Sequence, residues 1–174
     1  LSQAQSEGQH TTAYVVADDQ GNVVSVTTTI NSYFGAGLMA GSTGFFLNNE
    51  MEDFSTQVQA ANAVEGGKRP LSGMVPTLLL QGGQPVYALG SPGGATIPTQ
   101  IIHVISHVVD EGMSLEQAVA APRFYPVWSQ PVVHIEPGVF PESVQAALRR
   151  HGESLVTGLG FIPGIPSWGG VAMI

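Results

Sequence analysis

Thr11-Thr12-Ala13-Tyr14-Val15-Val16-Ala17, the turn Asp18-Asp19-Gln20-Gly21-Asn22, and Val23-Val24-Ser25-Val26-Thr27-Thr28-Thr29-Ile30-Asn31 form the stretch whose reading decides the fold. Two β-branched runs around a short Asp/Gly/Asn cluster predict a β-hairpin, Thr12–Ala17 with Val23–Ile30. Period two puts Ser25, Thr27, Thr29 and Asn31 on one face and Val24, Val26, Thr28 and Ile30 on the other. The second face is apolar enough for a core. The first carries only hydroxyls and an amide. On period alone it is the wet face of a half-exposed strand. The alternative is that the polar row lines a site, and Thr11 at the hairpin mouth gives that alternative its chemistry. A mid-chain threonine hydroxyl is a poor nucleophile. It becomes a good one when its own α-amino group is free to act as base and a second hydroxyl orients it. A cut between His10 and Thr11 supplies that amine, whose reference pKa of ~7.7–8.0 lies close enough to neutrality to accept a proton. Thr29, on the polar face, is placed to hydrogen-bond the Thr11 hydroxyl. Threonines are also simply common in strands.

Working outward, the 174 residues suffice for one domain with a real core. Charged residues make up only 10% against 43% hydrophobic, so part of the surface is expected to meet a partner. The 22 glycines and 12 prolines point to short strands and many turns. A net charge of −8, with five scattered cations, argues against a phosphate- or nucleic-acid-binding face. With no cysteine, disulfides, thiolate metal sites and cysteine nucleophiles are excluded. No apolar run approaches the ~20 residues of a membrane span. Leu1–His10 is polar and reads as a flexible leader.

Further along, Gly35–Gly44 reads as a loop, Gly44–Asn48 as a strand and Ser55–Lys68 as a long loop of the kind that is often functional. Pro76–Leu80 and Pro85–Leu89 form a second hairpin around Gln81-Gly82-Gly83-Gln84. The strongest helix is Thr96–Glu111, ended by Gly112. Ser114–Ala121 follows with a Ser114/Gln117 capping box. Val132–Ile135 is a short strand, Pro141–His151 a third helix, and Ser154–Thr157 and Gly170–Ile174 are late strands. Strand runs followed by helices give an α+β class with a mainly antiparallel sheet flanked by helices.

Four other groups can carry chemistry. Gly90-Ser91-Pro92-Gly93-Gly94 leads from a strand into the strongest helix. Its glycines let backbone N–H groups approach a ligand, and the helix start adds positive potential, which together can make an oxyanion hole. The same residues also suit an ordinary strand-to-helix turn. Glu50 and Asp53 stand three apart beside Asn48 and Asn49. They fit a substrate ammonium, a general-acid pair or a solvated charged loop. Lys68-Arg69-Pro70-Leu71-Ser72-Gly73-Met74 can face a substrate carboxylate or bond nearby loops. His103, His107 and Glu111 lie four apart on one helix face, which suits a metal or a packed helix face, without a His-Glu-x-x-His motif.

Taken together these segments resemble the small, C-terminal subunit of the γ-glutamyltranspeptidase family. The resemblance rests on Thr11-Thr12, Thr27-Thr28-Thr29-Ile30-Asn31, Phe34-Gly35-Ala36-Gly37, Leu47-Asn48-Asn49-Glu50-Met51-Glu52-Asp53-Phe54-Ser55, Lys68-Arg69-Pro70-Leu71-Ser72, Gly90-Ser91-Pro92-Gly93-Gly94 and Ala121-Pro122-Arg123-Phe124, in family order over residues 11–174. It implies an N-terminal-nucleophile hydrolase fold, a four-layer αββα sandwich of α+β class, in a precursor that cuts itself before the threonine. It implies transfer or hydrolysis of a γ-glutamyl group from glutathione or related amides, through an ester on that threonine, to water or to an amino-acid or peptide acceptor. It implies no metal and no organic cofactor, a large subunit of the same precursor as partner, and a periplasmic or extracellular setting. By resemblance the catalytic residues are Thr11 as nucleophile, Thr29 as its support, and Gly93 and Gly94 as the oxyanion hole. Asn31, Glu50, Asp53 and Ser72 grip the donor.

This chain departs from the family pattern in Gly73, where a second serine is usual, and in Ala13, where histidine is usual. The domain reading is a leader, residues 1–10, from the large-subunit side, followed by a small-subunit domain, residues 11–174. With the leader uncut, Thr11 has an amide nitrogen and the chain is expected to be inactive alone. Two other readings stay open. One is a related amidohydrolase, a β-lactam side-chain acylase or a poly-γ-glutamate-cleaving enzyme. The other is a degenerate, non-catalytic homologue.

Overall fold

The hairpin forms where the β-branched runs demand it. In the computed structural model, β1 (Thr12–Ala17) pairs antiparallel with β2 (Val23–Thr28), with Thr12 opposite Thr28 and Ala17 opposite Val23. The structure describes residues 10–127, 130–158 and 170–174, so all of the predicted leader except His10 lies outside the described residues. The turn is closed by Asp18, whose carboxylate accepts from the Gln20 and Asn22 backbone N–H groups at 3.0 and 2.8 Å. Strand pairing stops two residues earlier than the predicted Ile30.

The polar row does not face water. Ser25 and Thr27 are half-buried, while Val16 and Val24 on the other face are exposed. The Ser25 hydroxyl donates to the Leu89 carbonyl at 2.6 Å, and a Cβ on Gly90 would sit 3.1 Å from that of Ala13. The first hairpin therefore lays its hydroxyl face on the neighbouring sheet, and hydrogen bonds replace water for the buried hydroxyls. Thr27 Oγ1 is the exception: it is buried with no hydrogen-bond partner.

That sheet is β8-β4-β3. Here β3 (Thr77–Gln81) and β4 (Gln84–Gly90) form the second predicted hairpin, and β8 (Ala172–Met173) joins the other edge of β4. Gly82 and Gly83 both take positive φ, +59° and +83°, as a two-residue turn with the twist of its flanking strands requires. Ala88 and Leu89 are fully buried on β4. Beyond it, a 3-10 turn (Gly94–Thr96) starts α1 (Ile97–Val109). Ile97, Ile101 and Val104 recur along one stripe of α1 and are buried, each stabilising by roughly 1.5–3 kcal/mol.

The fold divides into two compact units, one running to Pro98 and taking back Gly170–Ile174, the other beginning at Thr99. The second holds α2 (Leu115–Ala120), β5 (Phe124–Val127), β6 (Val132–Ile135), α3 (Glu142–Arg150) and β7 (Ser154–Thr157). Ser114 caps α2 through both arms of the predicted capping box. The β6–β7 pairing is parallel, whereas the other pairings between named strands described here are antiparallel. Strand β5 escapes prediction because Pro126 interrupts it; the sheet order β5-β6-β7 puts it on an edge, where proline is tolerated. Arg123 ties the start of β5 to the end of β6. Its backbone N–H and guanidinium both donate to Glu136, at 2.9 and 2.6 Å, and Nη1 reaches the buried Gln100 at 3.0 Å. No helix among the described residues is long and apolar enough to cross a membrane.

The predicted strand Gly44–Asn48 is reduced to a single bridge, Met39 to Phe46. Gly35, Gly37, Gly41 and Gly44 all take positive φ, which breaks any extended run. At Gly35 the chain also passes so close to Leu47 that a Cβ would collide with the Leu47 carbonyl oxygen and stand 2.9 Å from Asn48 Cα. At Gly37, with similar φ, a Cβ meets nothing within 4 Å. Gly35→Ala is thus expected to destabilise the full-length protein by about 1–3 kcal/mol more than Gly37→Ala. Denaturant titration of both variants checks this, and equal losses would show that backbone strain alone is felt.

Candidate active site

Extending the β1–β2 register by one residue brings Thr11 opposite Thr29. Both are half-buried, one residue beyond the paired strands. Thr29 Oγ1 accepts the backbone N–H of Asn31 at 2.9 Å, which leaves its own proton to donate. Asn31 holds φ +73°, the left-handed region that asparagine tolerates best among side-chain-bearing residues. That turn buries the Asn31 side chain, whose Nδ2 reaches the Asn49 carbonyl at 3.4 Å. Asn49 returns the contact to the next residue: its Oδ1 accepts from Ser32 N–H at 3.0 Å and its Nδ2 donates to Ser32 Oγ at 3.0 Å.

Asn49 immediately precedes a 3-10 turn, Glu50–Asp53. In that geometry residues three apart eclipse, so the Glu50 and Asp53 carboxyls share one side. Asp53 is 6% exposed and its Oδ1 has no hydrogen-bond partner. Burial, with a smaller contribution from the Glu52 charge, holds its carboxyl above the ordinary carboxylate range, although hydrogen bonds with Glu50 and Asn31 oppose the rise. A buried acceptor oxygen left open beside a second carboxyl is poised for a cation with N–H donors.

The far wall comes from the predicted long loop. Asn62 bridges it to the acidic turn, donating to the Asp53 carbonyl at 2.6 Å and accepting from Leu71 N–H at 3.1 Å. This places Ser72, whose Oγ accepts from Met74 N–H at 3.2 Å and keeps its own proton to donate. The glycine turn supplies the last side. Gly93 and Gly94 take φ of +137° and +55°, open to glycine and rare for other residues. The Gly93 carbonyl is held by Thr96 through its N–H at 3.2 Å and its hydroxyl at 2.9 Å.

Thr11, Thr29, Asn31, Glu50, Asp53, Ser72 and Gly94 all line one open cleft, with Gly73, Met74 and Ile97. Gly93 is adjacent in chain but is not part of the lining. Among the described residues the lining therefore holds three hydroxyls, two carboxyls, one amide, two glycines and no cation. The sequence names Asn49 only as a polar neighbour of Glu50 and Asp53, and does not point to Asn62. Nothing in the pattern marks a loop asparagine as a brace between segments far apart in the chain.

His103, His107 and Glu111 belong to the second unit and to a different, mostly apolar hollow with Phe124, Phe140 and Val144. His107 Nδ1 pairs with Glu111 at 3.0 Å, and the His103 ring packs on Phe124 with centroids 4.2 Å apart. Burial first, then His107 and Arg123, push the His103 pKa down. Among the described residues no group of three such side chains is placed to hold a metal.

The profile of the γ-glutamyltranspeptidase family matches residues 1–165. The glutathione hydrolase proenzyme of Pseudomonas sp. strain A14 is 40% identical over 157 residues, 84% of this chain and 27% of the relative. The acylase ACY 1 proenzyme of Pseudomonas sp. strain V22 is 39% identical over 151 residues, 86% of this chain and 26% of the relative. The chain thus spans about a quarter of the length of these curated relatives. A crystal structure of a Helicobacter pylori γ-glutamyltranspeptidase mutant superposes with a TM-score of 0.84 at 40% identity, covering 94% of this chain and 89% of that one. With the ordered motifs, the α+β fold and these matches, the chain belongs to the γ-glutamyltranspeptidase family of enzymes.

Proposed function

We propose that this chain is the catalytic portion of a γ-glutamyl transferase or hydrolase whose nucleophile is the Thr11 hydroxyl. The observation that carries the proposal is the convergence of Thr11, Thr29, Glu50, Asp53, Ser72 and Gly94 on one cleft. The His10–Thr11 bond is cut first, dividing a leader from residues 11–174 and freeing the Thr11 amine. That amine then takes the Thr11 Oγ proton as the oxygen adds to the γ-carbonyl of the donor. Backbone N–H groups of the Gly93-Gly94 turn stabilise the oxyanion. The donor amine leaves with the proton, and a γ-glutamyl ester remains on Thr11. Water or an acceptor amine attacks the ester, gives its proton to the Thr11 amine and restores the hydroxyl.

The donor's α-ammonium lies at Asp53 and Glu50, with Asn31 as a further polar contact. Its α-carboxylate is received by Ser72. Since the described lining carries no cation, the positive charge for that carboxylate comes from the large-subunit part of the precursor. With His10–Thr11 intact the base is missing and no turnover is expected.

Gly73 favours a second reading. The residue beside Ser72 offers the cleft no side chain, and the acylase ACY 1 proenzyme is a relative at similar identity. Initial rates of the full-length protein on γ-glutamyl-p-nitroanilide, glutaryl-p-nitroanilide and poly-γ-glutamate decide between the two. Preference for the γ-glutamyl anilide supports the first reading. Preference for the glutaryl amide, which lacks the ammonium, makes the protein an acylase.

A further inference from the structure

Tyr33 is 70% exposed, yet its ring stacks on that of His10, with centroids 3.2 Å apart and planes inclined by 24°. His10 is the residue on the carbonyl side of the bond before Thr11. The loop that carries Tyr33 is itself fixed against the cleft. Asn31 N–H bonds Thr29 Oγ1 at 2.9 Å, Ser32 N–H bonds Asn49 Oδ1 at 3.0 Å, and Gly35 N–H bonds the Ser32 carbonyl at 2.9 Å. Both sides of the His10–Thr11 bond are therefore referred to one frame. Thr11 directly precedes the first register pair, Thr12 opposite Thr28, and lines one cleft with Thr29, while His10 is held by the ring two residues beyond Asn31.

We propose that Tyr33 is a positioning residue for self-cleavage: by holding the His10 ring it presents the His10 carbonyl to the Thr11 hydroxyl. The inference rests on the reading of Thr11 as a self-exposed nucleophile. In the step, Thr11 Oγ adds to the His10 carbonyl carbon and the carbon–nitrogen bond breaks. The hydroxyl proton ends on the Thr11 nitrogen, leaving an ester between His10 and Thr11. One water then hydrolyses that ester, giving a His10 carboxylate and a free Thr11 hydroxyl. The attack needs the reacting atoms held near contact distance, and freedom at His10 would dilute that geometry. A histidine ring has two side-chain torsions, so a stack on a fixed tyrosine restrains its backbone at small cost in entropy. An aromatic stack of this kind corresponds to roughly a two- to tenfold change in rate.

The test is the time course of cleavage of the full-length precursor, followed by intact mass. Tyr33→Ala and His10→Ala are each expected to slow cleavage about two- to tenfold. Tyr33→Phe and His10→Phe, which keep a ring pair, retain the wild-type rate. The double alanine variant is no slower than the slower single one, because both remove one contact. Unfolding of Tyr33→Ala in a Thr11→Ala background should match that of Thr11→Ala alone, since so exposed a ring adds little to the core. Wild-type cleavage in Tyr33→Ala, or a Tyr33→Phe variant as slow as Tyr33→Ala, overturns the positioning role while leaving the nucleophile in place. Cleavage that persists in Thr11→Ala, or a wild type that stays uncut, overturns the underlying reading and this inference with it.

Discussion

Thr11→Ala in the full-length precursor is expected to abolish both chain cleavage and turnover of γ-glutamyl-p-nitroanilide, a loss of at least about 10³-fold. In the proposed mechanism one atom, Thr11 Oγ, performs both reactions, so removing it leaves neither a route to the free amine nor an acyl acceptor. Thr29 cannot substitute: it sits mid-chain, its Oγ1 already accepts from Asn31 N–H, and it has no amine of its own. Thr11→Ser keeps the hydroxyl and the amine, and should cleave and turn over at reduced rates. Intact mass and anilide assays on the same three preparations check the prediction. Residual cleavage in the alanine variant at more than a hundredth of the wild-type rate would place the nucleophile elsewhere.

Asp53→Asn carries the second large effect. A buried carboxylate that receives a substrate ammonium loses about 2–5 kcal/mol of binding when its charge is removed, roughly thirtyfold to several thousandfold in kcat/KM. The loss should fall on γ-glutamyl donors and spare glutaryl amides, which have no ammonium. The pH dependence has a definite sign. Burial raises the Asp53 pKa above its ordinary 3.8, so the folded protein holds the proton more tightly than the unfolded chain does. In the empty protein the contribution to stability is complete below the ordinary carboxylate range. It declines as pH rises from there through the raised folded pKa. Donor binding runs the other way, because an ammonium selects the ionised form; KM for γ-glutamyl-p-nitroanilide should fall across the same rise in pH. Asp53→Asn removes both trends. A KM profile that is flat in the wild type, or unchanged in Asp53→Asn, would remove Asp53 from the donor site.

Much of this architecture is legible in the sequence because its signals are local. The Asp18–Asn22 turn, the Gly82-Gly83 turn and the Ser114/Gln117 box each specify a nearby backbone conformation, and each element formed where its signal stood. What stayed hidden depends on partners distant in the chain. Period two separates the faces of β2 correctly but cannot say which face is buried. The hydroxyl face turned inward because Leu89 and Gly90, over sixty residues away, offer it a carbonyl and a flat surface. Phe124–Val127 carries no strand signal until β6 supplies its ladder, and Gly44–Asn48 reads as a strand although Gly44 takes φ +80° and only the Met39–Phe46 bridge forms.

The cleft shows the same division. Thr11 and Thr29 follow from a hairpin register, and Glu50 and Asp53 from a spacing of three on a tight turn. The braces Asn49 and Asn62 join loops through a pair of side-chain bonds each, to Ser32 at 3.0 Å and to Asp53 and Leu71 at 2.6 and 3.1 Å, which no periodicity encodes. Neither does sequence mark Tyr33 against His10. Their separation of twenty-three residues is closed only by the fold of the hairpin between them.

The central claim is tested most directly by locating the covalent intermediate. The full-length protein is incubated with a γ-glutamyl donor, quenched in acid, digested, and its peptides are sequenced by mass spectrometry. A peptide that begins at Thr11 and carries one glutamyl residue as an ester on the Thr11 side chain is the predicted result. A glutamyl group on any other residue, or on a Thr11 still joined to His10, would contradict the account.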